Sequence, residues 1–319
     1  MCCRVRGTQV RAGAIDVGTN SVRLIVCEQQ PGGMRTLDRR LTITRLGQGV
    51  DERRAFDPEA LKRTLETIAE YAAICGEYEV SDIRVSATSA ARDARDRDVF
   101  FDAVRKLTGK PAELLSGADE ARLTFTGAVS DLAGEDPVLV VDIGGGSTEL
   151  VVGRKKPENL VSLDIGSVRL FEKHLASDPP STSELEALRT EAGDAFRSAR
   201  DRLSVSPRSR LVGVAGTVTQ LAALKIGLPT YDPEVTHHSV LSHGDIRMLA
   251  RRLASLPYEK RARIKGLVPG RADVIVSGAE ILLSVMEVFD FAEVLVSEKD
   301  LLDGLAIEML ATDAGTVPR

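Results

Sequence analysis

VLVVDIGGGSTELVVG, Val138 to Gly153, sets three consecutive glycines between two runs rich in β-branched residues. The runs Val138–Val141 and Leu150–Val152 read as two strands joined by a tight turn. Glycine between paired strands signals a bulge, a turn, or close approach of a ligand to bare backbone. Bare backbone aims several N–H donors at one anion, and phosphate is the usual guest. Asp142 ends the first run and Glu149 opens the second. Carboxylates beside a phosphate repel it unless a divalent cation bridges them or one of them is catalytic. The plainer alternative is a glycine-rich hairpin with solvated acids. Two common phosphate fingerprints do not fit. No Lys follows the glycines as in GxxxxGK[ST], and DIGGGST is not a GxGxxG that opens a helix.

A second copy lies near the N-terminus. AIDVGTNSVRLIV, Ala14 to Val26, aligns with VVDIGGGSTELVV at an offset of 142 − 16 = 126 residues. Asp16 falls on Asp142, Gly18 on Gly144, Ser21 on Ser147, and Arg23 on Glu149. Two hairpins of one design, about a domain apart, imply duplicated halves facing each other over a cleft.

The 319 residues correspond to roughly two domains. With 43% apolar and 28% charged residues the composition is that of a soluble globular chain. A net charge of −5 and the absence of Trp argue against a general nucleic-acid surface. No apolar run approaches the roughly 20 residues of a membrane span. MCCRVRGTQVRAG is basic without an apolar signal core, so it reads as a short cytosolic extension. Cys2, Cys3, Cys27 and Cys75 lack metal spacing and disulfide density, as expected of reduced cytoplasmic thiols.

Strands and helices alternate. Ala12–Asp16, Ser21–Glu28 and Arg40–Arg45 read as a meander, followed by a helix capped by Asp57 with Pro58 in its first turn. Strand Ile83–Ala87, a helix within Ala87–Phe100, strand Glu113–Leu115 and a helix capped by Ser116 complete the first half. The second half repeats the plan with strands at Val138–Val141, Glu149–Val152, Leu160–Asp164, Arg210–Val214 and Glu293–Ser297. Helices are read within Ser181–Leu203 and over Leu301–Leu310. The order resembles the actin-like superfamily of sugar kinases and heat-shock chaperones. That resemblance implies an α/β fold of two actin-like (ASKHA, ribonuclease H-like) domains facing each other across a cleft. Residues 1–126 with 300–319 would form the first domain and 127–299 the second, the last helix packing back on the first.

AIDVGTNSVRLIV, ATSAARDA, SGADEARLTFTG, VVDIGGGSTEL, GVAGTVTQLAAL and GLVPGRADVIVSGAEIL occur in that order. Together they resemble the exopolyphosphatase and guanosine pentaphosphate phosphohydrolase (Ppx/GppA) family. The resemblance implies Mg²⁺-assisted removal of a terminal phosphate from polyphosphate, from pppGpp to give ppGpp, or from both, with Mn²⁺ as a substitute ion. Glu120, directly before Ala121-Arg122, would be the base that activates water, with Asp119 as its acidic neighbour. Backbone N–H groups of Gly18, Thr19, Asn20 and Ser21 and of Gly144, Gly145, Gly146 and Ser147 would hold phosphates. Arg23, Arg92 and Arg271 would clamp phosphate oxygens, a task that suits the guanidinium fork. Asp142 and Glu149 would hold the metal, with Asp16 as a further ligand. Asp273 would either orient Arg271 or stand near the metal.

Longer members of the family continue into further helical domains, so short polyphosphate chains or a nucleotide are the expected substrates here. A cytoplasmic homodimer without nucleic-acid or membrane partners completes the family expectation. The competing functions are an ATP-dependent kinase or ATPase of the same superfamily, and a non-catalytic polyphosphate or alarmone sensor. GVAGTVTQLA, Gly213 to Ala222, lies where the superfamily kinases hold adenosine, or is a turn for helix packing. His237, His238 and His243 suggest a metal loop, or a plain structural one. The family often has Gly where His238 stands, which bears on positive φ. The basic stretch Ser255–Arg271 would steer polyanions or form a solvated helix face.

Overall fold

The computed structural model describes residues 10–268 and 270–314; residues 1–9 of the basic N-terminal stretch, with Cys2 and Cys3, lie outside them, whereas its last residues, Arg11 to Gly13, open the first strand rather than an extension. The first half runs β1 (Arg11–Val17), β2 (Ser21–Gln30), β3 (Gly33–Ile43), α1 (Val50–Arg53), α2 (Pro58–Glu77), β4 (Asp82–Ala87), α3 (Ser89–Asp93), α4 (Arg97–Thr108), β5 (Ala112–Leu114) and α5 (Gly117–Ala128). The second runs β6 (Val138–Ile143), β7 (Thr148–Gly153), β8 (Pro157–Leu163), α6 (Ser167–His174), α7 (Thr182–Arg200), β9 (Arg210–Val214), α8 (Ala215–Ile226), α9 (Pro233–Thr236), β10 (Val240–Ser242), α10 (His243–Ala254), α11 (Tyr258–Arg261), α12 (Ile275–Phe289), β11 (Glu293–Val296) and α13 (Leu301–Ala314).

Two mixed sheets result, ordered β3-β2-β1-β4-β5 and β10-β11-β9-β6-β7-β8. In each, an antiparallel meander is continued by parallel strands reached through helices. The second sheet is therefore the first with β10 added antiparallel to β11 at its edge. This is the expected actin-like plan, present twice. The offset of 126 residues holds at the level of register: Asp16 pairs with Arg23 as Asp142 pairs with Glu149.

Local signals explain most boundaries. Asp57 accepts the N–H groups of Glu59 and Ala60, and Ser116 accepts that of Asp119 at 3.1 Å. Ser181 and Glu184 form a capping box at the start of α7. Two expectations are corrected. The third strand is not Arg40–Arg45 but the longer Gly33–Ile43, because β2 and β3 form one hairpin. The helix expected within Ala87–Phe100 is broken into α3 and α4. Tertiary bonds impose the break: Arg95 N–H donates to Arg54 O at 2.8 Å, and Asp96 accepts the Phe56 N–H at 3.1 Å.

Each sheet has two covered faces. In the first half Ile15, Val17, Leu24 and Val26 meet Ile68, Tyr71 and Phe100 on one side, while Ala14, Ile25 and Cys27 meet Leu302 and Leu305 of α13 on the other. In the second half Leu139, Val141 and Leu150 pack on α7 and α12 residues such as Phe196 and Leu282, while Val140 and Val151 pack on Phe125 of α5. Thus α13 covers the first sheet and α5 the second, and the two helices touch between them. Their contact is backbone-close. A Cβ on Gly127 would strike Asp300 O, and one on Gly304 would strike Leu123 O. The expected division at residues 126 and 127 falls inside α5. Cys27 and Cys75 are buried free thiols, which burial pushes up to about 11. Among the described residues no helix is long and apolar enough to cross a membrane.

Candidate functional site

The duplicated turns face each other. Gly18 N–H donates to Ser21 O at 2.9 Å, and Gly144 N–H donates to Ser147 O at 3.0 Å. Between these anchors the N–H groups of Thr19, Asn20, Gly145 and Gly146 have no acceptor among the described residues. Asn20 Nδ2 is also buried without a partner. Unpaired donors from two opposed turns make a concavity that favours an anion. The glycines serve closeness as well. A Cβ on Gly145 would lie 2.8 Å from Thr19 Cβ, and one on Gly146 would strike Ser89 Oγ.

The cleft between the turns is narrow, about 70 Å³. Its walls include Asp16, Arg23, Glu120, Asp142 and Arg271 besides both turns. A second chamber of about 240 Å³ shares Arg23, Ala215, Gly216 and Arg271 with it and continues past Leu41, Tyr231 and Asp300. GVAGTVTQLA thus contributes to a wall of both spaces, with the Arg271 guanidinium lying directly on Gly216, where a Cβ would displace it.

The two register pairs differ in charge. Across β1 and β2, Arg23 Nη2 donates to Asp16 Oδ2 at 2.7 Å, so the pair neutralises itself. Across β6 and β7 two acids stand opposite one another. Asp142 Oδ2 accepts from Thr124 Oγ1 at 3.1 Å, Glu149 Oε1 accepts from Ser162 Oγ at 2.7 Å, and Glu149 Oε2 is buried without a partner. Burial, together with Asp300 and Glu120, pushes the Asp142 carboxyl up to about 7. Burial, Glu120 and Asp142 hold the Glu149 carboxyl well above the usual carboxylate range. No third His, Cys, Asp or Glu ligand atom of the described residues joins them in one compact cluster.

Glu120 stands in the first turn of α5, 8% exposed, at the cleft wall. Burial raises its carboxyl, against the pull of Arg92. Asp119 does not share its position: it accepts from Ser116 Oγ at 2.6 Å and completes the helix cap.

The three arginines part ways. Arg92 does not line the cleft; it donates to Glu120 Oε2 at 2.8 Å and to Leu115 O at 2.9 Å. Arg23 lines the cleft but is tied to Asp16 and Asp300. Arg271 lines the cleft, and among the described residues its guanidinium has no ion pair or hydrogen bond. Burial lowers its pKa. Asp273 pairs with Arg45 at 2.8 Å and does not line the cleft, though its charge still acts on Arg271.

Residues outside the sequence reading complete the site. Thr88, Ser89 and Ser167 line the cleft, the first two within the ATSAARDA segment already singled out. Arg169 bridges the halves: Nε donates to Gly146 O at 2.8 Å, Nη2 to Asp93 at 2.6 Å, and Nη1 to Asp51. Glu172 accepts the Gly49 N–H at 3.0 Å beside it. Asp300 reaches Arg23 across 277 residues, a separation for which no local pattern exists.

The histidines resolve into structure. The rings of His237 and His238 stack at 3.8 Å, and with Asp131 they form a compact potential ligand set. His237 Nδ1 accepts the Glu298 N–H at 3.1 Å, so the neutral ring carries its proton on Nε2 and gives it to Asp131 at 2.9 Å. Lys299 also stands 3.0 Å from Asp131. A metal on Nε2 would have to break that arrangement. His238 adopts φ 60°, the backbone that Gly favours. His243 lies elsewhere, at the start of α10. In the basic stretch Arg261 is buried and bonds Ala272 O, whereas Lys260, Arg263 and Lys265 are exposed without acidic partners among the described residues.

A model of the Ppx/GppA phosphatase family matches residues 25–313. The chain is 39% identical over 313 residues to exopolyphosphatase 2 of Mycobacterium tuberculosis, covering 94% of this chain and 98% of that protein. It is 28% identical over 299 residues to the guanosine-5'-triphosphate,3'-diphosphate pyrophosphatase of Vibrio vulnificus, covering 93% of this chain and 59% of that protein. The crystal structure of the Ppx/GppA family member of Aquifex aeolicus superposes with a TM-score of 0.81 at 30% identity, covering 96% of this chain and 99% of that one.

Proposed function

Because the chain belongs to the Ppx/GppA phosphatase family, we propose that it hydrolyses the terminal phosphoanhydride bond of inorganic polyphosphate, of guanosine pentaphosphate, or of both. The observation that carries this reading is the pair of opposed turns with unpaired N–H groups, closed on a cleft that Glu120 and Asp142 line. A cleft of about 70 Å³ suits one terminal phosphoryl group and its attacking water better than a whole nucleotide.

In this reading the turn N–H groups hold the oxygens of the terminal phosphoryl group. Glu120, held by Arg92, orients a water and takes its proton as the water oxygen bonds to phosphorus. The anhydride P–O bond breaks, and the remaining phosphate leaves as an anion toward Arg271, the cleft cation with a free fork. Asp142 and Glu149 would hold Mg²⁺ or Mn²⁺; two opposed buried carboxylates with an orphaned oxygen fit a hard cation that takes its other ligands from water and phosphate. Bound there, the ion would neutralise charge on the transferred group. Asp16 is spoken for by Arg23, which favours two metal carboxylates rather than three.

Residues 1–126 with 300–319 and residues 127–299 would act as two jaws, latched by Arg169 and by Arg45–Asp273. We further propose a cytoplasmic homodimer, which light scattering of the purified chain would test. The deciding experiment is phosphate release at neutral pH with Mg²⁺ from short polyphosphate, long polyphosphate, guanosine pentaphosphate and ATP, by wild type and Glu120→Ala. Release from one of the first three, lost in the variant, supports the reading and names the substrate. Tight binding without release would turn it into a sensor, and release only from ATP into an ATPase.

A further inference from the structure

Arg23 occupies in the first half the register position that Glu149 occupies in the second. Its guanidinium is held on two sides. Nε and Nη2 donate to Asp16 Oδ2 at 3.1 and 2.7 Å, and Nη1 donates to Asp300. A guanidinium has five hydrogens, so two remain for the cleft that Arg23 lines.

Asp300 is itself fixed from several directions. Its Oδ1 accepts the Leu302 N–H at 3.0 Å, so it caps α13. Its own N–H donates to Asp303 Oδ2 at 3.1 Å. Arg39 of β3 stands 3.7 Å from Asp300 and bonds both oxygens of Asp303, at 3.0 and 2.9 Å. Its carbonyl lies where Gly127 of α5, the helix of Glu120, leaves room. The carboxylate therefore joins three elements: the strand of Arg23, the strand of Arg39 and the start of α13. It lines the chamber and not the cleft, so its hydrogen-bonded link to the cleft runs through Arg23.

Resting on the functional reading above, we infer that Asp300 is a positioning residue for the phosphate site, setting Arg23 so that its two remaining N–H bonds face the terminal phosphoryl group. An acid at this place also keeps a buried Arg charged and still; a buried guanidinium tied to one side only is free to swing into the chamber.

Asn at position 300 separates this role from plain helix capping, because Asn caps about as well as Asp but carries no charge. The test is a cycle of Asp300→Asn, Arg23→Gln and the double variant, read by calorimetric binding of tripolyphosphate with Mg²⁺ and by phosphate release. Asp300→Asn should weaken binding and kcat/KM by roughly tenfold or more, and the double variant should be no worse than Arg23→Gln. Asp300→Glu should recover part of the loss. Arg39→Gln, which loosens Asp300 from outside, should give a smaller loss in the same direction and stands in if Asp300→Asn does not fold. Losses that multiply in the double variant, or an Asp300→Asn chain that loses thermal stability with unchanged kcat/KM, would overturn the inference. Binding is read apart from turnover. A wild type that binds tripolyphosphate but releases phosphate from neither polyphosphate nor guanosine pentaphosphate refutes the functional reading and leaves the cycle to judge Asp300; one that neither binds nor hydrolyses any of them refutes both.

Discussion

Asp142→Asn should make the metal-free protein more stable at pH 8 while abolishing its activity. Asp142 is buried opposite Glu149, and its carboxyl is raised from an ordinary 3.8 to about 7. A carboxyl raised by folding costs nothing while it stays protonated; the cost grows as pH climbs from the unfolded value through the folded one. With 3.8 unfolded and about 7 folded, linkage puts the penalty at about 2 kcal/mol at pH 5 and about 4 kcal/mol at pH 8. Asn keeps an oxygen for the Thr124 hydroxyl and removes the charge, so it should recover most of that penalty. For a chain of this size each kcal/mol moves Tm by roughly 2 °C, so the variant should melt several degrees above wild type in EDTA at pH 8 and only slightly above it at pH 5. Millimolar Mg²⁺ should raise the wild-type Tm and leave the variant unmoved. Differential scanning calorimetry at the two pH values, with EDTA or Mg²⁺, reads all four conditions. A variant that melts below wild type in EDTA at pH 8, or a gap that does not grow with pH, would refute the view that Asp142 is held against burial and its acidic neighbours Asp300 and Glu120 in wait for a cation.

The remaining expectations are simpler to read. Arg92→Gln removes the cation that holds Glu120 ionised, so the acid limb of the kcat/KM profile against pH should move upward; a limb that stays in place would disconnect Arg92 from the base. Arg271→Gln should lower kcat/KM by roughly 30-fold or more with Tm nearly unchanged, because its guanidinium has no protein partner among the described residues to lose; steady-state kinetics and a melt together check this. Gly127→Ala should destabilise the fold by at least about 2 kcal/mol, since its Cβ meets backbone Asp300 O rather than a side chain that can turn away, and urea unfolding would show it. Arg169→Met should loosen the halves and lower kcat while small-angle scattering shows a more open particle; an unchanged particle would mean the other contacts suffice to close it.

How much of this was legible in the sequence follows range along the chain. The turns at Gly18–Ser21 and Gly144–Ser147 could be read because glycine content, strand alternation and flanking acids are all local. The 126-residue offset then placed Asp16 and Arg23 on the register of Asp142 and Glu149. Caps at Asp57, Ser116 and Ser181 were legible for the same reason. Helix α12 was harder to read: its residues from Ile275 to Met286 are all buried, and a thin stripe of Ser277, Glu280, Ser284 and Glu287 is the polar period in an otherwise apolar run. The break between α3 and α4 depends on bonds to Arg54 and Phe56, about 40 residues away.

Composition and motif also could not say which arginine would be free. Sequence made Arg23, Arg92 and Arg271 equals; the fold gave Arg92 to Glu120 and Arg23 to Asp16 and Asp300, and left Arg271 to the cleft. Partnership of a long charged side chain is decided by whatever the fold brings within about 4 Å, often from the far end of the chain. The paired glycine turns were therefore written in short repeated stretches. The sharing of charge around them was decided only when α13 returned to lie against the first sheet.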